Sequence, residues 1–202
     1  RMSSSPLTYI NGETKLREII DVRLKHRNIT TSGDTYQYTN NNGSFIAYFK
    51  QNYGSTNTFY FQNDEYKIKM TDLGVRYFNT TNNEQVAVRR NGNVLVRENN
   101  ISYIESLGNL TPTYYYFSNK IKEVVTIPNR TSIRNTTLAG NVHVALTKRI
   151  QYDGGVSIYI NGTLWNGQQQ WVRDNVEFRV GGSTISMLKR PVIFDSNNSR
   201  KN

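Results

Sequence analysis

From Asn141 to Gly167 the chain alternates between apolar and polar positions. Val142, Val144 and Leu146 take every second place against His143, Ala145 and Thr147, the period-two pattern of a strand with one buried face. Val156, Ile158 and Ile160 repeat it against Ser157 and Tyr159. Between the runs, Asp153-Gly154-Gly155 supplies residues that tolerate positive φ, which predicts a tight reversal joining two paired strands. Asn161-Gly162 closes the second run with a hairpin-type turn. Upstream, strand-length runs recur at 44–50, 58–62, 66–70, 74–78, 85–89 and 93–97. Asn52-Tyr53-Gly54, Asn63-Asp64, Asn82-Asn83 and Asn91-Gly92 separate them. No stretch holds a long helical period. The pattern predicts an all-β chain, a two-sheet antiparallel β-sandwich.

The flanks are less regular. Residues 1–18 are polar and Ser-rich and read as a tether, with a first strand from about Ile19. Residues 28–43 are loop-like, although Tyr36 and Tyr38 have the spacing to begin a strand. Residues 101–115 are the least regular part. Strands are expected at 122–128, 171–180 and 185–194, a long polar loop at 129–140, and a disordered tail at 196–202. One recognition domain spans 19–195 on this reading. Its expected core includes Phe45, Phe49, Ile68, Val75, Val144, Leu146, Ile158, Ile160 and Phe178.

Composition narrows the class. The 202 residues are 36% hydrophobic, and no apolar run approaches the roughly 18–20 residues of a membrane span. No signal peptide or transit segment stands behind Arg1, so the expectation is a piece excised from a longer protein. Cysteine is absent, which removes disulfides and cysteine-ligated zinc. The formal charge of +10 favours anionic partners, or simply reflects a lysine-rich solvated surface. Nine Asn-X-Ser/Thr sequons fit a glycosylated ectodomain or the chance yield of an Asn- and Thr-rich chain, and chance is the preferred reading.

The run "HVALT", a short loop and then "GGVSIYINGTLW" resembles the late strands of laminin-G-like, concanavalin A-like jelly rolls. In those domains a strand ending in Gly-Gly follows, matched here by "VEFRVGG" at 176–182. "GSFIAYFKQ" is similar to one of their early strands. The specific part covers about a fifth of the chain. The resemblance implies a jelly-roll sandwich and a lectin-like or protein-binding role.

Catalytic chemistry has little to stand on. His26 and His143 are the only histidines, and neither belongs to a metal-ligand pattern. Glycosidases on such folds need an acid and a nucleophile on one strand face. Asp64 and Glu65 are adjacent and point to opposite faces, and Asp174 and Glu177 have odd spacing. The expectation is no enzyme, no cofactor and no metal. Some laminin-G-like domains hold calcium through loop carboxylates; Asp153 is the matching position, but Asp-Gly-Gly is more simply a turn.

Two sets of binding candidates remain. With the Val, Ile and Phe positions inward, Lys67, Lys69, Arg76, Arg89, Arg97 and Arg179 face outward, either as an anion-attracting face or as ordinary solvated positions. Tyr159 lies on the outer face of its strand, Trp165 follows in a polar loop, and Asn166, Gln168 and Gln169 flank it. An indole stacks on the C–H face of a sugar while amides reach its hydroxyls. A tryptophan there equally suits capping of a sandwich edge. Trp171 and the Tyr114-Tyr115-Tyr116 run are further candidates.

The expected function is therefore a non-enzymatic head that binds a cell-surface glycan or glycoprotein, displayed in several copies on a larger assembly. The AT-rich coding style, the missing cysteine and the cleavable Ser-Arg-Lys end suggest a virion surface or another extracellular setting. The nearest analogue is the receptor-binding head of rotavirus-type outer-capsid spikes, on style rather than on a motif. The alternatives are a lectin-like module of a bacterial toxin or phage tail protein, and a nucleic-acid-binding module. The last lacks the aromatic motifs of RNA-binding folds, so no specific nucleic acid and no membrane insertion are expected.

Overall fold

The computed structural model describes residues 8–10, 15–19, 21–63, 66–118, 120–133, 135–153, 155–194 and 200–201. Among them the only helix is a single 3-10 turn, Arg130–Ser132; the rest is strand and connection. The chain divides into two compact units, 1–151 and 152–202.

Unit one begins with β1 (Thr8–Ile10), β2 (Arg17–Ile19), β3 (Lys25–Thr31), β4 (Asp34–Asn40), β5 (Ile46–Phe49) and β6 (Phe59–Gln62). It continues through β7 (Lys67–Phe78), β8 (Asn83–Val88), β9 (Asn93–Arg97), β10 (Asn100–Ile104), β11 (Thr111–Phe117) and β12 (Lys120–Thr126). β13 (His143–Asp153) runs across the boundary between units. Unit two holds β14 (Ser157–Ile160), β15 (Thr163–Leu164), β16 (Val176–Val180), β17 (Ser183–Leu188), β18 (Ile193–Phe194) and β19 (Arg200–Lys201).

A seven-stranded sheet runs β13-β7-β6-β5-β4-β3, with β8 also paired to β7. A four-stranded sheet runs β12-β11-β10-β9, and another in unit two runs β15-β14-β16-β17. β1-β2 and β18-β19 form two-stranded ribbons, so the segments expected as tether and tail both contribute strands. Of the tail expected at 196–202, residues 196–199 and 202 lie outside the described residues, as do Ile20, Asp64, Glu65 and Gly154.

Aromatic rings link the two larger sheets of unit one. Tyr114 on β11 lies 5.8 Å from the Phe49 ring and 5.7 Å from the Phe59 ring, and Tyr116 lies 5.2 Å from Phe45. Tyr36, Tyr53, Tyr60, Tyr103 and Tyr116 are among the largest fully buried side chains. Each ring removes a large apolar area from water, and pairs at this spacing add about 0.5–1.5 kcal/mol beyond it.

Several expectations need correction. The runs at 142–146 and 156–160 are not a hairpin: β13 lies beside β7, whereas β14 pairs with β15 and β16. β14 finds its apolar match in β16, where Ile158 stands opposite Phe178 and both are buried. Residues 28–43 and 101–115 carry most of β3, β4, β10 and β11 rather than loops. Phe49, Ile68, Val75, Ile158 and Phe178 are buried as expected, and Phe45, Leu146 and Ile160 are half-buried. Val144, at the start of β13, is instead 46% exposed.

Three local features match the reading of the sequence. Asn161 and Gly162 (φ 50° and 76°) form a two-residue turn in which Ile160 faces Thr163. Gly181 and Gly182 (φ 56° and 85°) do the same between β16 and β17. The runs at 66–70 and 74–78 are both strand, fused into the single β7. A register shift falls at Val75/Arg76, next to Gly74, where an added Cβ would run into the Ala87 carbonyl oxygen.

Candidate functional site

The sugar-binding candidates of unit two gather around the turn after β14. The backbone N–H of Trp165 donates to the Ile158 carbonyl (2.7 Å), anchoring the loop to the strand. Its indole N–H donates to the Gln168 carbonyl (2.7 Å), and the Gln168 N–H donates to Asn166 Oδ1 (3.0 Å). Gly167, at φ 83°, permits the fold-back. Trp165 is half-buried, whereas Asn166, Gln168, Gln169 and Gln170 are exposed. Trp171 retains 38% of its surface and lies in an irregular stretch, since the expected strand at 171–180 starts only at Val176.

Tyr159 is used differently. Its ring carries the Arg179 guanidinium at 4.2 Å, and Arg179 pairs with Glu177 at 2.6 Å. The Arg179 hydrogen bonds hold the Glu177 carboxyl below its ordinary value. One face of Tyr159 is therefore covered by a cation.

The Tyr114-Tyr115-Tyr116 run, a binding candidate in the sequence, is not an open cluster. Tyr114 is 4% exposed and Tyr116 is fully buried, because their positions on β11 face the aromatic core. Tyr115, between them, is half-buried on the opposite face.

The basic candidates do not form one shared bare face. Lys69 pairs with Asp34 (2.9 Å) and lies 5.9 Å from the Tyr60 ring centre. Arg76 binds the Asn83 side-chain oxygen, Arg89 donates to the Ser55 carbonyl (2.6 Å), and Arg179 is held by Glu177. Among the basic candidates, Lys67 and Arg97 are exposed. Along the continuous β7, Arg76 also lies at odd separations from Lys67 and Lys69, so plain alternation does not bring it to their face.

The densest polar chemistry was missed in the sequence. Asp72 on β7 is 1% exposed in its side chain. It accepts hydrogen bonds from the hydroxyls of Tyr53 (2.7 Å) and Tyr114 and from the Lys148 ammonium. Lys148 also contacts both Glu123 carboxylate oxygens, at 2.9 and 2.7 Å. Burial resists ionisation of Asp72, but Lys148 and the two hydroxyls outweigh it and hold the carboxyl below its usual value. For Glu123, burial and the charge of Asp72 prevail over Lys148 and push the carboxyl up to about 7. One ammonium between two carboxylates leaves an excess negative charge, and Glu123, with 22% of its side chain exposed, takes up a proton first. Two carboxylates displaced in opposite senses can mark an acid–base pair. Here Asp72 is closed to any substrate, and the arrangement ties β7, β11, β12 and β13 together. A signal was present: Asp72 falls on the inward parity of Ile68 and Met70.

Among the described residues no cluster of His, Cys, Asp and Glu could hold a metal ion. No helix among them is long and apolar enough to cross a membrane. No known protein family, curated protein or solved structure shows a significant match to this chain.

Proposed function

We infer that the chain is a non-enzymatic recognition module built as a β-sandwich, and that it binds a cell-surface glycan through the loop after β15. What supports this reading most is that loop, in which Trp165 is pinned by two hydrogen bonds while Trp171 and a run of amides stay exposed. A pinned loop loses little entropy on binding, and an exposed indole beside amides suits a sugar's mixed apolar and hydroxyl surface. Trp171, 38% exposed, is the stacking platform beside Trp165, whose indole edge is tied to Gln168. A shallow site of this kind holds a single sugar weakly, with a dissociation constant of about 0.1–10 mM. Firm attachment then needs many copies on one particle, as on a virion surface or another extracellular assembly.

The test pairs melting temperature with glycan-array and cell binding by a multivalent display. Trp171→Ala is expected to keep the melting temperature and lose most binding. Trp165→Ala is expected to lower both, since it unpins the loop. Unchanged binding in both variants places recognition elsewhere and defeats this reading.

A further inference from the structure

We propose that the outward face of the β12-β11-β10-β9 sheet is a second binding surface, built for an anionic, sulfated or carboxylated polysaccharide. It lies in unit one and does not depend on the loop of unit two. Strand register assembles it. Arg97 stands opposite Asn100, Asn100 opposite Tyr115, and Tyr115 opposite Lys122, so one row crosses all four strands. Phe117 stands opposite Lys120 on the same face. Because alternate residues point oppositely, this face is the reverse of the one that buries Ile101, Tyr103, Tyr114 and Tyr116.

Arg97, Lys120 and Lys122 are exposed and, among the described residues, none is in an ion pair. Strand spacing puts Lys120 and Lys122 about 7 Å apart and Arg97 about 14 Å from Lys122. The carboxylates nearby point elsewhere or lie at the margins. Glu123 faces inward to Lys148, Glu105 stands near Arg90 at the far end, and Glu98 sits in the turn beside Arg97. Lys120 and Lys122 therefore carry most of the field. Between Arg97 and Lys122 lie Asn100 and Tyr115, and beyond that row the same face is partly apolar, with Leu95 42% and Ile104 36% exposed. A flat surface with spaced cations and apolar ground complements a linear chain of sugar rings bearing anionic groups.

Single-stranded nucleic acid shares the charge but asks for open rings on which successive bases stack. Here the Phe117 ring already carries the Lys120 ammonium at 5.2 Å, which leaves Tyr115 alone and half-buried. The polysaccharide is the better occupant.

The experiment measures binding of the full chain to heparin, to neutral dextran and to oligothymidylate across a salt series. Heparin is expected to bind and dextran not, with affinity falling about two to three decades per decade of salt if three cations are engaged. Lys120→Glu with Lys122→Glu is expected to weaken heparin binding by about tenfold or more, as loss of two contacts in such a series would. Lys189→Glu, the same kind of change at an exposed site in unit two, should leave heparin binding nearly intact. If the double variant melts early, Lys122→Gln replaces it, with a smaller loss in the same direction. Equal losses from Lys189→Glu would reduce the effect to net charge and overturn the proposal. Oligothymidylate binding tighter than heparin and lost in Tyr115→Ala would overturn it in favour of nucleic acid. Trp171→Ala should not change heparin binding, so failure here and failure of the loop reading are separable.

Discussion

Two tyrosines show how much one hydroxyl depends on its surroundings. Tyr36 is fully buried and, among the described residues, its hydroxyl has no hydrogen-bond partner. Burial pushes its ionisation well above the ordinary range, so it stays neutral. Tyr36→Phe removes only an unsatisfied group and is expected to leave stability unchanged or raise it by about 1 kcal/mol. The Tyr53 hydroxyl instead donates to the buried Asp72 carboxylate. Tyr53→Phe is expected to cost about 1.5–3 kcal/mol, because a charged acceptor loses a donor with no water to replace it. Chemical denaturation of both variants checks the contrast, and equal effects would contradict it. Sequence patterning handled these residues poorly. Alternation marks which side a residue is on, but a core anchored on Val, Ile and Phe leaves out tyrosine, whose ring can bury as well. With 14 tyrosines in the chain, that choice hid much of the core.

At the level of elements, turns were easier to read than pairings. Asn161-Gly162 and Gly181-Gly182 need positive φ, a requirement that is local and visible in residue type. The partner of β13 is not local, and alternation within a strand says nothing about which strand lies beside it. β3 and β4 were hidden because their Thr, Asn and Tyr residues resemble loop composition. Asp34 shows what such an element contributes. It stands on β4 and pairs with Lys50, just after β5, at 2.6 Å and with Lys69 on β7 at 2.9 Å. Burial opposes its ionisation, but hydrogen bonds from Lys50, Lys69 and Asn57 hold the carboxyl at about 2. The folded value lies below the unfolded one. This stabilisation is therefore present above about pH 4 and lost as the pH falls toward about 2. Asp34→Asn is expected to lose about 1–2 kcal/mol at neutral pH. The variant should also melt with less acid sensitivity across that window than the parent; an identical acid profile would rule the pairing out as a source of stability. At Gly74, Ala is expected to cost about 1–3 kcal/mol, because the new methyl meets the Ala87 carbonyl.

For the whole molecule, the Asp72–Lys148–Glu123 cluster joins segments far apart in the chain. Removing the cation leaves two carboxylates facing each other with little water. Lys148→Met is expected to cost about 3–5 kcal/mol at neutral pH. The loss should shrink toward pH 5, because protonation relieves the repulsion. The parent chain carries a milder version of this trend. Glu123 has a folded value of about 7, above its unfolded one, so its contribution favours folding below about 4.5 and declines as the pH rises toward 7. Glu123→Gln should remove that decline, as followed by denaturation at pH 5 and pH 8. The inward parity of Asp72 is legible in the sequence, but its partners are not, since Lys148 sits 76 positions away and only the fold brings them together.

The place of β12 at the end of its sheet has a consequence of another kind. A terminal strand offers backbone donors and acceptors that a second molecule can extend, the usual route into fibrillar assembly. Lys120 and Lys122 alternate along that strand and are exposed, so two approaching copies meet charge against charge. Replacing both with threonine keeps strand propensity but removes this barrier. Such a chain should scatter light increasingly with concentration and form β-rich aggregates. If it stays monomeric, the lysines are not what keeps this edge apart in solution.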